Sequence, residues 1–298
     1  MKATRSMSGF RKMLAERQEK VKSLVCVGLD PLVEKLPTHL SMLIPEAAVE
    51  IQMVKIAQAT AEYACMFKPN IAYWEAIPNG FRSLKSVIRQ IHREFPDIPV
   101  IIDCKRGDIA RTQKQYKVAC LDMLGADGMN FSPYMGKDCM AALVDKEKIG
   151  RALVGLCYTS NPDAREIQDV YLHNQVKLWE FIAQKTLAWA EELGVVENAG
   201  LVMAAAYEQT KGSGVVYADH LTWCRRLVGD KLWFLIPGIG AQGGFIRETI
   251  RTAYVGLGSI AINSSSEICF ANSGEDYAEA AGKKACELRD KINECCNV

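Results

Sequence analysis

Apolar positions along the chain alternate between two textures. Short runs with few polar breaks read as buried strands: LVCVGLD (24–30), CMFKPN (65–70), PVIIDCK (99–105), GMNFSPY (128–134), RALVGLCYTS (151–160), GLVMAAAY (200–207), LWFLIPGIG (232–240) and SIAINSS (259–265). Between them lie segments that read as helices: 45–64, 79–95, 109–124, 136–147, 175–194, 217–228, 243–253 and 276–295. In 79–95, Phe81, Leu84, Val87, Ile88 and Ile91 share a face, and Asn79 stands at the capping position. Repeated strand-then-helix units with nearly continuous apolar strands predict a parallel sheet, and eight is the number that closes a (β/α)8 TIM barrel. An open doubly wound sheet is the alternative built from the same units. No Gly/Ser/Pro-rich linker divides residues 1–298, so one domain is expected.

Ahead of the first strand, MKATRSMSGFRKMLAERQEK carries basic residues and no acid before Glu16. It reads as a helix capped by Ser8, with Phe10, Met13 and Leu14 on one face covering the bottom of the domain. A mitochondrial presequence has a similar composition.

Composition removes several classes of function. Of 298 residues, 49% are hydrophobic, enough for a large core, and the net charge of +1 comes without a basic stripe. Neither nucleic-acid binding nor membrane insertion is expected, because the apolar runs are too short to span a bilayer. The 11 cysteines include no CxxC pair, which points to free thiols in a reducing, cytoplasmic setting. The 4 histidines are far apart and form no HxxxH pair, so no metal site is expected.

A barrel carries its chemistry at the C-terminal ends of its strands. Those ends hold Asp30, Lys68, Asp103 with Lys105, Ser160, and the glycine-rich PGIGAQGG. In VIIDCKRGDIART (100–112), Asp103 and Lys105 alternate along the strand and should share a face, with Cys104 opposite. Asp108 lies past the turn at Gly107, placed to cap the next helix. A structural salt bridge plus a helix cap accounts for the same residues, although Lys68 at a second strand end makes a functional charge cluster the sharper reading. PGIGAQGG can present backbone N–H groups to a phosphate or be an ordinary βα loop. Ser160 in YTSNP can bond a polar ligand or simply belong to a Ser-Asn-Pro turn.

Taken in order, VGLDP, FKPNIAYWE, DCKRGDIART, FSPYMG, YTSNP and PGIGAQGG resemble the orotidine 5′-monophosphate decarboxylase family, from about residue 10 to residue 290 and closest to its longer-chain branch. The resemblance implies a (β/α)8 barrel that releases CO2 from orotidine 5′-monophosphate to give UMP in pyrimidine synthesis. It also implies a homodimer with shared active sites, and neither metal nor organic cofactor. It maps Lys68, Asp103, Lys105 and Asp108 onto the family's charged network, with Asp108 supplied by the partner subunit. Ile109 and Thr112 match positions reaching across that interface. Asp30 matches the ribose-binding aspartate and Ser160 the pyrimidine-binding serine. Pro237 and Gln242 match the loop over pyrimidine and phosphate.

One position departs from the pattern. The family ends its last barrel strand with Ser-Ser-Arg, the arginine binding phosphate, whereas INSSSEICFA places Ser266 there, followed by Glu267. Phosphate must then rely on another cation or on backbone N–H groups of Gly243, Gly244 and Ser265.

Three other functions stay open on the residues alone. A sugar-phosphate decarboxylase or lyase on a related barrel shares D-x-K-x-x-D but uses magnesium. A Schiff-base aldolase is disfavoured because a lysine among carboxylates stays protonated. A nucleotide-binding barrel without turnover is suggested by the missing arginine. Fusion to orotate phosphoribosyltransferase, known in several eukaryotes, is a further implication, with ACELRDKINECCNV as a candidate domain edge.

Overall fold

The apolar runs form strands because each is buried on both faces. The computed structural model describes residues 9–145, 150–208, 212–239 and 245–296. Within them the strands are β1 (Val25–Gly28), β2 (Ala64–Lys68), β3 (Ile101–Arg106), β4 (Gly128–Phe131), β5 (Ala152–Tyr158) and β6 (Ala199–Met203). A short hairpin follows, β7 (Tyr207–Glu208) with β8 (Val216–Tyr217), and then β9 (Trp233–Ile236) and β10 (Ile260–Ser264). All strands but the hairpin pair in parallel, in the order β2-β1-β10-β9-β6-β5-β4-β3. Bridges Phe67–Val100 and Asn70–Asp103 then join the two outer strands of that order. The sheet therefore closes on itself, which rules out the open doubly wound alternative.

Side-chain alternation divides the core in two. Cys26, Met66, Ile101, Val154, Val202, Leu235 and Ala261 form a cluster with Phe10 and Leu14 of the first helix (Phe10–Val21). Phe10 stacks on Trp233 at 5.2 Å between ring centroids, at the start of β9, so the helix covers the N-terminal end of the barrel. Ser8 lies outside the described residues. The cap position is Gly9, and the distant Asn198 satisfies the free helix end, its Oδ1 accepting from Phe10 N at 2.9 Å.

The helices match the sequence pattern with trimmed ends. Asn79 does occupy the cap of the helix Gly80–Glu94, but its own φ is +55° and its side chain donates to Glu46 Oε1 instead of capping. The segment 109–124 splits into an α-helix (Ala110–Lys117) and a π-helical turn (Val118–Met123). Short helices Ile71–Glu75, Ala164–Gln168 and Ser266–Cys269 occupy βα connections. The cysteines are unpaired thiols. Among the described residues no helix is long and apolar enough to cross a membrane.

Candidate active site

Parallel strands deliver their last residues to one rim, and there the charges meet. Asp103, on β3, is nearly buried, and its two carboxylate oxygens are divided between two ammonium groups. Lys68 Nζ, from the end of β2, donates to Oδ2 at 3.0 Å, and Lys105 Nζ donates to Oδ1 at 2.5 Å. Asn130 of β4 also donates to Oδ1, at 2.6 Å. Lys68 is buried, whereas the Lys105 side chain is 49% exposed, leaving its ammonium accessible at the rim.

Simple strand alternation does not explain how Lys105 reaches this position. Its φ is +48°, a left-handed conformation uncommon outside glycine, and the β3–β4 register breaks between Ile102 and Arg106. Asn130 holds that kink, its Oδ1 accepting from Cys104 N at 2.8 Å and Lys105 N at 2.6 Å. Cys104 faces the outer core, as alternation predicts. One asparagine thus orients both the Asp103 carboxylate and the Lys105 backbone.

Each partner fixes the other's charge. Burial opposes ionisation of Lys68, but Asp30 and Asp103 outweigh it and hold the ammonium above the ordinary lysine range. Burial likewise opposes ionisation of Asp103, but Lys68 and Lys105 hold its carboxyl well below the usual carboxylate range. Asp30 follows β1 and accepts from Asn70 N at 2.8 Å, tying the β1 and β2 loops together.

Asp108 stands apart from this network. Its Oδ1 accepts from Ile109 N at 2.8 Å, so the cap position of the next helix belongs to Ile109 and not to Asp108. Among the described residues Asp108 forms no ion pair. Ile109 is 55% exposed, and Thr112 is exposed as well.

Ser160, Pro237 and Ser265 come together around a second feature, a cavity of about 140 Å³ also lined by Asn263, Ser266 and Glu267. Ser265 packs so tightly on β1 that a Cβ on Gly28 would lie 1.8 Å from its Oγ, so only glycine fits there. The Cys26 thiol, which burial keeps protonated, donates to Asn263 Oδ1 at 3.5 Å at the edge of this cavity. Gln242, Gly243 and Gly244 lie outside the described residues. Among the described residues no three His, Cys, Asp or Glu side chains converge as a metal site.

The family model for the orotidine 5′-phosphate decarboxylase / HUMPS family matches residues 23–281. An orotidine 5′-phosphate decarboxylase of Azoarcus sp. is 38% identical over 272 residues, covering 91% of this chain and 93% of that protein. The chain belongs to the orotidine 5′-phosphate decarboxylase family. It is a carboxy-lyase of that family. A second relative of the same name, from Dehalococcoides mccartyi, is 36% identical over 289 residues, with 95% and 97% of the two chains covered. The solved structure of Leishmania donovani OMP decarboxylase superposes with a TM-score of 0.75 at 30% identity, covering 98% of this chain and 100% of that one. Leishmania donovani UMP synthase matches at 31% identity and a TM-score of 0.75, over 95% of this chain but 56% of its own.

Sequence reasoning missed two residues of this decarboxylase-family site. Asn130 sits in the otherwise apolar GMNF of β4 and Asn263 follows three apolar residues in β10, and that polarity within a buried strand was the available signal. A buried amide in a strand must find partners, and here the partners are the candidate catalytic groups and the pocket.

The Lys68–Asp103 pair carries a stability prediction. Asp103, held low, contributes fully above the ordinary carboxylate range, and that contribution is lost as pH falls through its depressed value. Lys68, held high, contributes fully below the ordinary lysine value and loses it as pH rises beyond. Lys68→Met should therefore cost about 3 kcal/mol of unfolding free energy, roughly constant from about pH 5 to pH 9 and narrowing at more alkaline pH. Urea unfolding across pH checks this, and a difference that grows above pH 10 would contradict it.

Proposed function

We propose that this chain decarboxylates orotidine 5′-monophosphate to UMP, with Lys105 protonating C6. The observation that supports this reading is one buried carboxylate held ionised between two ammonium groups, the outer of them open to the rim. Loss of CO2 from C6 leaves a vinyl-type carbanion with no adjacent electron sink, so the protein must stabilise charge directly.

Asp103 beside the substrate carboxylate repels it, and that repulsion falls as CO2 departs. At about 4 Å and an effective dielectric near 20, such a pair is worth roughly 4 kcal/mol, or about a thousandfold in rate. Enzymes accelerate reactions by at least about a millionfold, so this repulsion cannot be the main contribution. The larger part falls to Lys105, whose ammonium attracts the developing carbanion more strongly than it attracts the ground state. Lys105 then donates its proton to C6, and the neutral amine is reprotonated from water at the exposed rim. Lys68 keeps Asp103 ionised, and Asp103 in turn keeps Lys105 oriented.

In this reading Asp30 and, from the partner subunit, Asp108 contact the ribose and the lysine network, with Ile109 and Thr112 reaching across a homodimer interface. Ser160 and Pro237 hold the pyrimidine, and Gln242, Gly243, Gly244 and Ser265 complete the phosphate end. The chain acts as one catalytic domain, needs no cofactor, and works in a reducing compartment such as the cytoplasm. Its match to part of a UMP synthase supports asking whether it occurs fused to orotate phosphoribosyltransferase.

Adding the protein to orotidine 5′-monophosphate should lower the absorbance on the long-wavelength side of the pyrimidine band as UMP forms, at a rate that EDTA leaves unchanged. Unchanged absorbance would favour a nucleotide-binding barrel without turnover. EDTA-sensitive turnover of a sugar phosphate in its place would favour the magnesium-dependent lyases.

A further inference from the structure

The distal cavity is poorly matched, electrostatically, to a phosphate. Glu267 is the only ionisable side chain among the described residues that line it. Pro237, Gly238 and Ile239, which line the cavity from the segment after β9, carry no charge either. The last barrel strand leads into the cavity through Ser264, Ser265 and Ser266, which offer hydroxyls and no charge. Glu267 is exposed and forms no ion pair among the described residues. Its field reaches Lys284 on the helix Tyr277–Cys296, but that ammonium is engaged by Glu287 at 2.9 Å.

A phosphate monoester carries between one and two negative charges near neutral pH. Brought into this cavity it would meet a carboxylate, and among the described lining residues only hydroxyl and amide groups offset the repulsion. Exposure softens that repulsion through solvent and salt but does not reverse its sign.

We infer that Glu267 is a specificity-determining residue: it weakens the cavity's preference for a 5′-phosphate over a bare 5′-hydroxyl. The inference rests on the decarboxylase reading, because it takes the ligand of this cavity to be the 5′ end of a pyrimidine nucleotide. In chemical terms the cavity accepts a phosphate monoester through neutral hydrogen-bond donors, against the carboxylate, and tolerates the uncharged nucleoside better than a basic pocket would.

The test compares UMP with uridine by isothermal titration calorimetry on the full chain. Glu267→Gln should tighten UMP by about tenfold while uridine changes by less than about twofold. Ser266→Arg should tighten UMP further and make its binding more salt-dependent, since a guanidinium adds charge and a bidentate fork. Unchanged or weaker UMP binding in Glu267→Gln would overturn the inference, as would an equal shift for uridine. Thermal unfolding of both variants confirms that the fold is intact, and Ser266→Arg tests the same field if Glu267→Gln fails to fold. Turnover of orotidine 5′-monophosphate by the unaltered chain is measured separately. A failed shift with normal turnover removes the role of Glu267 and leaves the decarboxylase reading in place.

Discussion

Lys105→Ala is expected to lower kcat for orotidine 5′-monophosphate by at least about 10⁴-fold while UMP still binds. The variant removes the ammonium that attracts the carbanion and the proton that quenches it, two contributions lost at one position. It leaves Lys68 and Asn130 on Asp103, at 3.0 Å and 2.6 Å, so the buried carboxylate keeps partners and the barrel should fold. Lys105→Arg separates the two roles. A guanidinium keeps the charge but does not give up its proton at neutral pH, so kcat should stay far below that of the unaltered chain although UMP binding recovers. A kcat within about tenfold of the unaltered chain in either variant would remove Lys105 from the chemistry.

The second large effect concerns assembly. Asp108 forms no ion pair among the described residues and precedes Ile109 and Thr112, which are exposed. If these residues complete the neighbouring subunit's site, Lys105→Ala and Asp108→Ala chains, each nearly inactive, should complement one another when mixed. Random pairing gives half heterodimers, each with one intact site of two, so about a quarter of the sites regain activity. Confirmed heterodimers without that recovery would place Asp108 in its own chain's site or outside the chemistry.

The barrel was legible because burial on both faces makes strands nearly continuous apolar runs, a pattern that survives without any tertiary information. LVCVGLD and LWFLIPGIG each contain a barrel strand, β1 and β9. Their ends were overrun because apolarity and burial continue past the regular strand, as at the buried Ala204–Ala206 after β6. Ring closure was expected from the count of eight strand–helix units, but the contacts that make it, such as the bridge between Asn70 and Asp103, join residues far apart in sequence and could not be read from any local pattern.

The site divided in the same way. Lys68, Asp103 and Lys105 were readable because opposite charges at the ends of apolar strands have to pair once buried. The kink at Lys105 was not, since only the Asn130 amide from a neighbouring strand makes a left-handed lysine acceptable there. Asp108 looked like a helix cap by position, yet its carboxylate serves the next N–H and the cap falls on Ile109. Ser160 and Ser265, separated by about a third of the chain, share a cavity only because the barrel brings β5 and β10 to one rim.

The central claim is that this network releases CO2 and then protonates C6. It is tested most directly by following orotidine 5′-monophosphate labelled with ¹³C in its carboxylate, by NMR, in deuterated water with the full chain. The account predicts that the label leaves as carbon dioxide and bicarbonate at the rate at which UMP appears, with a single deuterium at C6 of the product. Label retained in the nucleotide, or UMP formed without deuterium at C6, would contradict it.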